Sequence, residues 1–158
     1  MKHDLNRVYK ASGRGSYKDV VRNIPLWLSQ FPDASTKVTI SSADIPYIKE
    51  SVLHLYALGI HEVNINCVFE DVWKAGDDRL FEEQLLMLAD AIIDNGYYRD
   101  YSCSFFGEHL GKPLDCKLQN QNWCGAGMML AVDAMGNFYP CTRFAQYSLR
   151  NKKAWIIG

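Results

Sequence analysis

The chain has 158 residues, enough for one domain or for one domain with a small appendage. With 48% apolar residues a real core is expected, and a formal net charge of −1 argues against nucleic acid or an anionic membrane surface as partner. The apolar runs are too short to cross a bilayer and "MKHDLNR" carries no secretory core, which predicts a cytosolic chain with reduced thiols.

From Ser16 the apolar residues Tyr17, Val20, Val21, Ile24, Trp27, Leu28 and Phe31 recur at helical steps. Ser16 followed by Asp19 predicts a capping box, and Phe31-Pro32-Asp33 predicts the stop. Lys37 to Ser41, "KVTIS", reads as a strand rich in β-branched residues. A second helix is predicted from Asp44, with Ile45, Ile48, Val52, Leu55 and Tyr56 on one face and Gly59 as its end signal. His61 to Phe69 reads as a strand, Asp77 to Asp94 as a third helix closed by Asn95-Gly96, and "RDYSCSFF" as a further strand.

Strand and helix alternate, which predicts an α/β fold with a parallel sheet or barrel. Along the strands Val38, Ile40, Val63, Ile65 and Cys67 alternate with Lys37, Thr39, Ser41, Glu62, Asn64 and Asn66. A fully covered parallel sheet would show near-continuous apolar runs. The alternation therefore predicts either a barrel with helices outside and a polar lumen, or a sheet with one solvated face. After Phe106 the alternation ends, and a domain boundary is expected there, with residues 1–108 before it and 109–158 after it. Three helices and about three barrel strands are few for a closed barrel, which predicts part of a larger fold.

"NWCGAGMMLAVDAMGNFYPC", Asn122 to Cys141, reads as a hairpin with a cysteine at each foot and a turn at Gly136-Asn137. The chain holds five cysteines, Cys67, Cys103, Cys116, Cys124 and Cys141, and an odd, widely spaced set in a reduced compartment argues against a disulfide scaffold. Cys116, Cys124 and Cys141 are separated by seven and sixteen residues. Zinc sites more often carry a C-x-x-C pair, whereas iron–sulfur cubanes accept thiolates from distant segments. Three buried free thiols acting as small hydrophobes remain the alternative, and the same applies to Cys67 and Cys103 within strands.

The spacing Cys124, eleven residues, Gly136, four residues, Cys141, with the wording "CGAG…AVDAMGNFYPC", resembles the opening of the SPASM motif in radical S-adenosylmethionine (SAM) enzymes. "HDLNR…GRGSYKDVVRNI", His3 to Ile24, resembles the segment after the third barrel strand of the same enzymes. The resemblance implies the C-terminal part of a partial (β/α)6 TIM-like barrel in residues 1–108 and a truncated SPASM domain in 109–158. It implies Cys116, Cys124 and Cys141 as ligands of an auxiliary [4Fe-4S] cluster, and Arg7 as a residue that helps hold the SAM carboxylate. Asn64 and Asn66 follow from strand alternation as lumen residues on the SAM or substrate side, with strand-end hydrogen bonding as their alternative role.

No two cysteines here have the C-x3-C-x2-C spacing that starts radical chemistry in that family, so the chain as given is expected to be inactive by itself. Sulfatase maturases, which convert Cys or Ser to formylglycine, carry an aspartate after the position of Cys141; here Thr142 stands there, and a hydroxyl is no substitute for a carboxylate base. "EVNINCVFEDVW" is more similar to maturases that form thioether or other crosslinks on a peptide or protein substrate. A non-enzymatic zinc-binding or peptide-recognition module is the reading from a different class. His54 is expected to be solvated, His61 and His109 structural, and Trp123 and Phe138 to shield the cluster or fill a small core.

Overall fold

The computed structural model describes residues 2–108, 110–111, 113, 128–148 and 153–158. The chain is a mixed α/β protein in two compact units, Met1–Leu110 and Gly111–Gly158. Among the described residues no helix is long and apolar enough to cross a membrane.

The first unit runs α1 (His3–Asn6), α2 (Tyr17–Gln30), β1 (Thr36–Ile40), a 3-10 turn (Ser42–Tyr47), α3 (Ile48–Ala57), β2 (Glu62–Cys67), α4 (Asp77–Asp94) and β3 (Ser102–Cys103). The three strands form a parallel sheet in the order β1-β2-β3, with Val38 opposite Ile65 and Val63 opposite Cys103. Period-two alternation sends Ile40, Val63 and Ile65 to one face, where they bury against Ile48, Val52 and Tyr56 of α3 and Leu88 of α4. Tyr56 also meets Tyr97 edge to face and Tyr101 at a tilt, and these two rings continue the core past the end of α4. The opposite face carries Lys37, Thr39, Glu62, Asn64 and Asn66 and stays open. Among the described residues the sheet is clad by helices on one side, which matches the alternation in the strands.

Helix starts differ from expectation in an instructive way. Ser16 does not cap α2 with its side chain; its hydroxyl donates to the Arg7 carbonyl at 2.9 Å. The Tyr17 N–H is taken instead by Asp4 Oδ1 at 2.9 Å, from thirteen residues upstream. Asp19, the expected partner of Ser16, accepts from Arg14 at 2.7 Å and from the Tyr9 hydroxyl at 2.9 Å. A side chain that reaches back to the backbone occurs where none was expected: Asp44 Oδ2 accepts the Ser41 N–H at 3.0 Å and its hydroxyl at 2.5 Å. The second helix therefore opens as a 3-10 turn after Ser41.

The strand expected over "RDYSCSFF" shrinks to Ser102–Cys103, followed by a 3-10 turn at Ser104–Phe106. The Ser104 hydroxyl accepts the Ile65 N–H at 2.8 Å, so a side chain takes over where the ladder would have continued. Gly96, with φ +67°, ends α4 in the left-handed conformation that favours glycine.

In the second unit β4 (Ala131–Val132) pairs antiparallel with β5 (Phe138–Tyr139). The last residues run beside β5, since Phe138 N–H donates to the Gly158 carbonyl and Ile157 N–H to that of Phe138. Trp155 meets Phe144 edge to face, with ring centroids 5.7 Å apart.

Candidate functional site

The polar sheet face and the flank of β1 collect the chemistry of the first unit. On that face Asn64 Nδ2 donates to Glu62 Oε1 at 2.8 Å, a bond between neighbours two residues apart on one strand. With the Asn66 amide oriented to suit its surroundings, its oxygen accepts from Lys37 Nζ at 2.8 Å and its nitrogen donates to the Ile65 carbonyl. Both asparagines are thus engaged in bonds along and across the strands, the role held as the alternative to ligand binding. Their amides still leave capacity for further bonds, because each offers two donors and two acceptor sites.

Arg7 lies elsewhere. It is exposed, follows α1, and lines a cleft between α2 and β1 that neither asparagine lines. Its carbonyl is pinned by the Ser16 N–H and hydroxyl, so the backbone is fixed while the guanidinium is free to reach into the cleft. Arg7 and the two asparagines are not brought together.

The cleft wall holds a polar cluster that sequence reading missed. Tyr17 OH and His54 Nε2 are 2.5 Å apart and join α2 to α3. His3 Nε2 lies 3.0 Å from Ser16 Oγ. Since that hydroxyl gives its proton to the Arg7 carbonyl, His3 must be the donor in this pair. His54 is therefore half-buried and tied, not solvated as expected. Its signal was available only as a histidine and a tyrosine 37 positions apart. Nearby, burial by itself would raise the Asp44 carboxyl, but the two Ser41 bonds and Lys2 Nζ at 3.1 Å outweigh it and hold the group below its usual value.

Of the three expected cluster ligands only Cys141 falls within the described residues; Cys116 and Cys124, like His109 and Trp123, lie outside them. Cys141 follows β5 and is half-buried and free, with Thr142 Oγ1 3.9 Å from its sulfur. Among the described residues no group of three or more His, Cys, Asp or Glu side chains is placed to hold a metal ion. Cys103 is buried in the sheet core and Cys67 is half-buried; burial pushes both thiols up, which suits packing rather than reactivity.

Asp133 organises the hairpin that carries Cys141. Its Oδ1 accepts the N–H groups of Met135 and Asn137, and its Oδ2 accepts Asn137 Nδ2 and the Tyr139 hydroxyl, all between 2.8 and 3.0 Å. The Asn137 side chain, then Tyr139, hold the carboxyl down at about 2. Because the folded value lies below the ordinary 3.8, this support is complete above that value and is lost as pH falls towards about 2. In an NMR titration the Asn137 side-chain amide should move with a midpoint near the lower value. Asp133→Asn should abolish that titration and speed amide exchange at Met135 and Asn137. A midpoint at the ordinary carboxylate value would contradict the four-bond turn.

Compared with protein-family models, with curated proteins and with solved structures, the chain matches none of them.

Proposed function

We propose that the chain is the C-terminal part of a radical SAM enzyme with a SPASM domain, a maturase that modifies a peptide or protein. In this reading the first unit is the second half of a partial (β/α)6 barrel and the second unit opens the auxiliary cluster domain. The observation that carries it is the pairing of two features in one chain. A parallel βα array with an open polar face is followed by a separate hairpin unit whose foot carries a half-buried free cysteine.

Cys141, with Cys116 and Cys124, would hold an auxiliary [4Fe-4S] cluster. When bound, such a cluster supplies one-electron chemistry at a potential set by charge, hydrogen bonds to sulfur and solvent access. The Asp133 turn fixes the two hairpin strands, the second of which leads to Cys141. Arg7, on a pinned backbone, offers a guanidinium suited to a bidentate carboxylate such as that of SAM. Asn64 and Asn66 offer amide groups to a polar substrate on the sheet face.

The test is iron uptake by the chain itself. Under argon, with ferric iron, sulfide and an excess of a small thiol, which reduces two of the four irons as it forms disulfide and also completes the fourth iron, it should turn brown and take up the four irons of one cubane. Dithionite should bleach the visible band. The C116A/C124A/C141A variant should stay colourless. Equal uptake by that variant, no uptake at all, or a single zinc taken in preference to iron would each overturn the proposal, the last in favour of a zinc module.

A further inference from the structure

The small net charge of the chain hides a segregation within the first unit. Up to the middle of α2, Lys2, Arg7, Lys10, Arg14, Lys18 and Arg22 outweigh Asp4 and Asp19. Along α4, Asp77, Asp78, Glu82, Glu83, Asp90 and Asp94 outweigh Arg79. Among the described residues the salt bridges are Lys2–Asp44 and Arg14–Asp19, so Lys18, Arg22, Asp90 and Asp94, all exposed, enter none. Arg22 only adds to the field on Asp19, which Arg14 and the Tyr9 hydroxyl already hold.

Each helix also turns aliphatic surface to solvent beside these charges. On α4 Leu86 and Ile93 are 61% and 64% exposed and lie two turns apart, with Asp90 on the same stripe. On α2 Lys18, Arg22 and Leu26 follow at four-residue steps, and Leu26 is 61% exposed. Single exposed aliphatics are ordinary, whereas two such stripes of opposite charge suggest a contact between them. Both stripes are open in the single chain, so they do not meet within it.

They fit each other in one register. Laid antiparallel with Leu26 opposite Leu86, Arg22 falls opposite Asp90 and Lys18 opposite Asp94. Four residues advance ~6 Å along either helix, so all three pairs stay in step. Ile93 then lies level with the first turn of α2. A parallel arrangement would carry Ile93 past Gln30, where α2 ends, and would align the helix dipoles instead of opposing them.

We propose that α4 of one copy of this chain docks antiparallel on α2 of a second copy. Leu86 meets Leu26 at the centre, and Asp90–Arg22 and Asp94–Lys18 form ion pairs beside it. The contact is heterologous, each copy offering one basic and one acidic face. Two helices meeting along about two turns bury less than the ~1,200 Å² of a standard interface, so the dissociation constant should be on the order of 100 μM. The inference concerns the outer helices of the first unit, so it stands or falls separately from iron binding at the cysteines.

Sedimentation of the full chain, from about 10 to 500 μM at low salt, tests it. The unaltered chain should associate as concentration rises, and about tenfold more weakly in ~0.5 M salt. K18E/R22E and D90K/D94K should each remain monomeric. Lys18 opens α2 and Asp94 closes α4, so these reversals suit the helix dipoles, and circular dichroism should show both folds retained. An equimolar mixture of the two variants should associate again, as should the chain carrying all four changes. Leu86→Ala should weaken the contact about fivefold or more. A chain that stays monomeric throughout overturns the proposal, as does association that survives either reversal. It is equally overturned if the two reversals fail to rescue each other or if Leu86→Ala has no effect.

Discussion

Truncating Leu88 to alanine should lower the unfolding free energy of the first unit by about 2–5 kcal/mol. Leu88 is fully enclosed, on the face of α4 that meets α3 and the sheet. Removing its branched end discards the burial energy of those atoms and leaves a cavity that rigid neighbours on two helices and three strands fill only in part. A unit of this size is stable by roughly 5–15 kcal/mol, so the loss is a large share of the total. Urea denaturation should show a lower midpoint with an unchanged slope. Leu86, two residues away on the same helix, is 61% exposed, and Leu86→Ala should stay within about 0.5 kcal/mol. Equal costs at the two positions would mean that α4 packs through a different face.

The second large effect is expected at Gly15, for a reason unrelated to backbone freedom. A Cβ at this position would run into the Asp4 carboxylate, the group that accepts the Tyr17 N–H and so caps α2. Gly15→Ala must displace that carboxylate. Losing such a cap costs about 0.5–2 kcal/mol, and relieving the clash adds to it. Asp4→Ala should cost a similar amount through the cap alone. The decisive comparison is the double variant. With the carboxylate gone, the added methyl has room, so Gly15→Ala should be nearly neutral in the Asp4→Ala background. Thermal unfolding of the four proteins gives the cycle. Additive costs would show that the two residues act independently.

These two sites also mark what could be read from the chain as text. α4 was legible as a helix over roughly Asp77 to Asp94, where the structure places it, because helical periodicity and the Asn95-Gly96 stop are local signals. The strand alternation likewise announced one apolar and one polar face. The cap of α2 was not legible: Ser16 and Asp19 have the right spacing, yet each is drawn to a different partner and Asp4 arrives from another turn of chain. β3 shrank for a similar reason, a serine hydroxyl having taken the place of the next backbone bond.

At the candidate site the same division holds. The cysteine spacing and the glycine of the hairpin are patterns along the chain, and Gly136, at φ +85°, has the conformation its turn requires. The Tyr17–His54 tie, the Lys37–Asn66 bond and the cleft under α2 join residues that no spacing rule connects. Local order was written in periodicity and turn chemistry, since both act over a few residues. Which polar groups meet was decided only when distant segments packed, because hydrogen bonds and burial depend on distance in space.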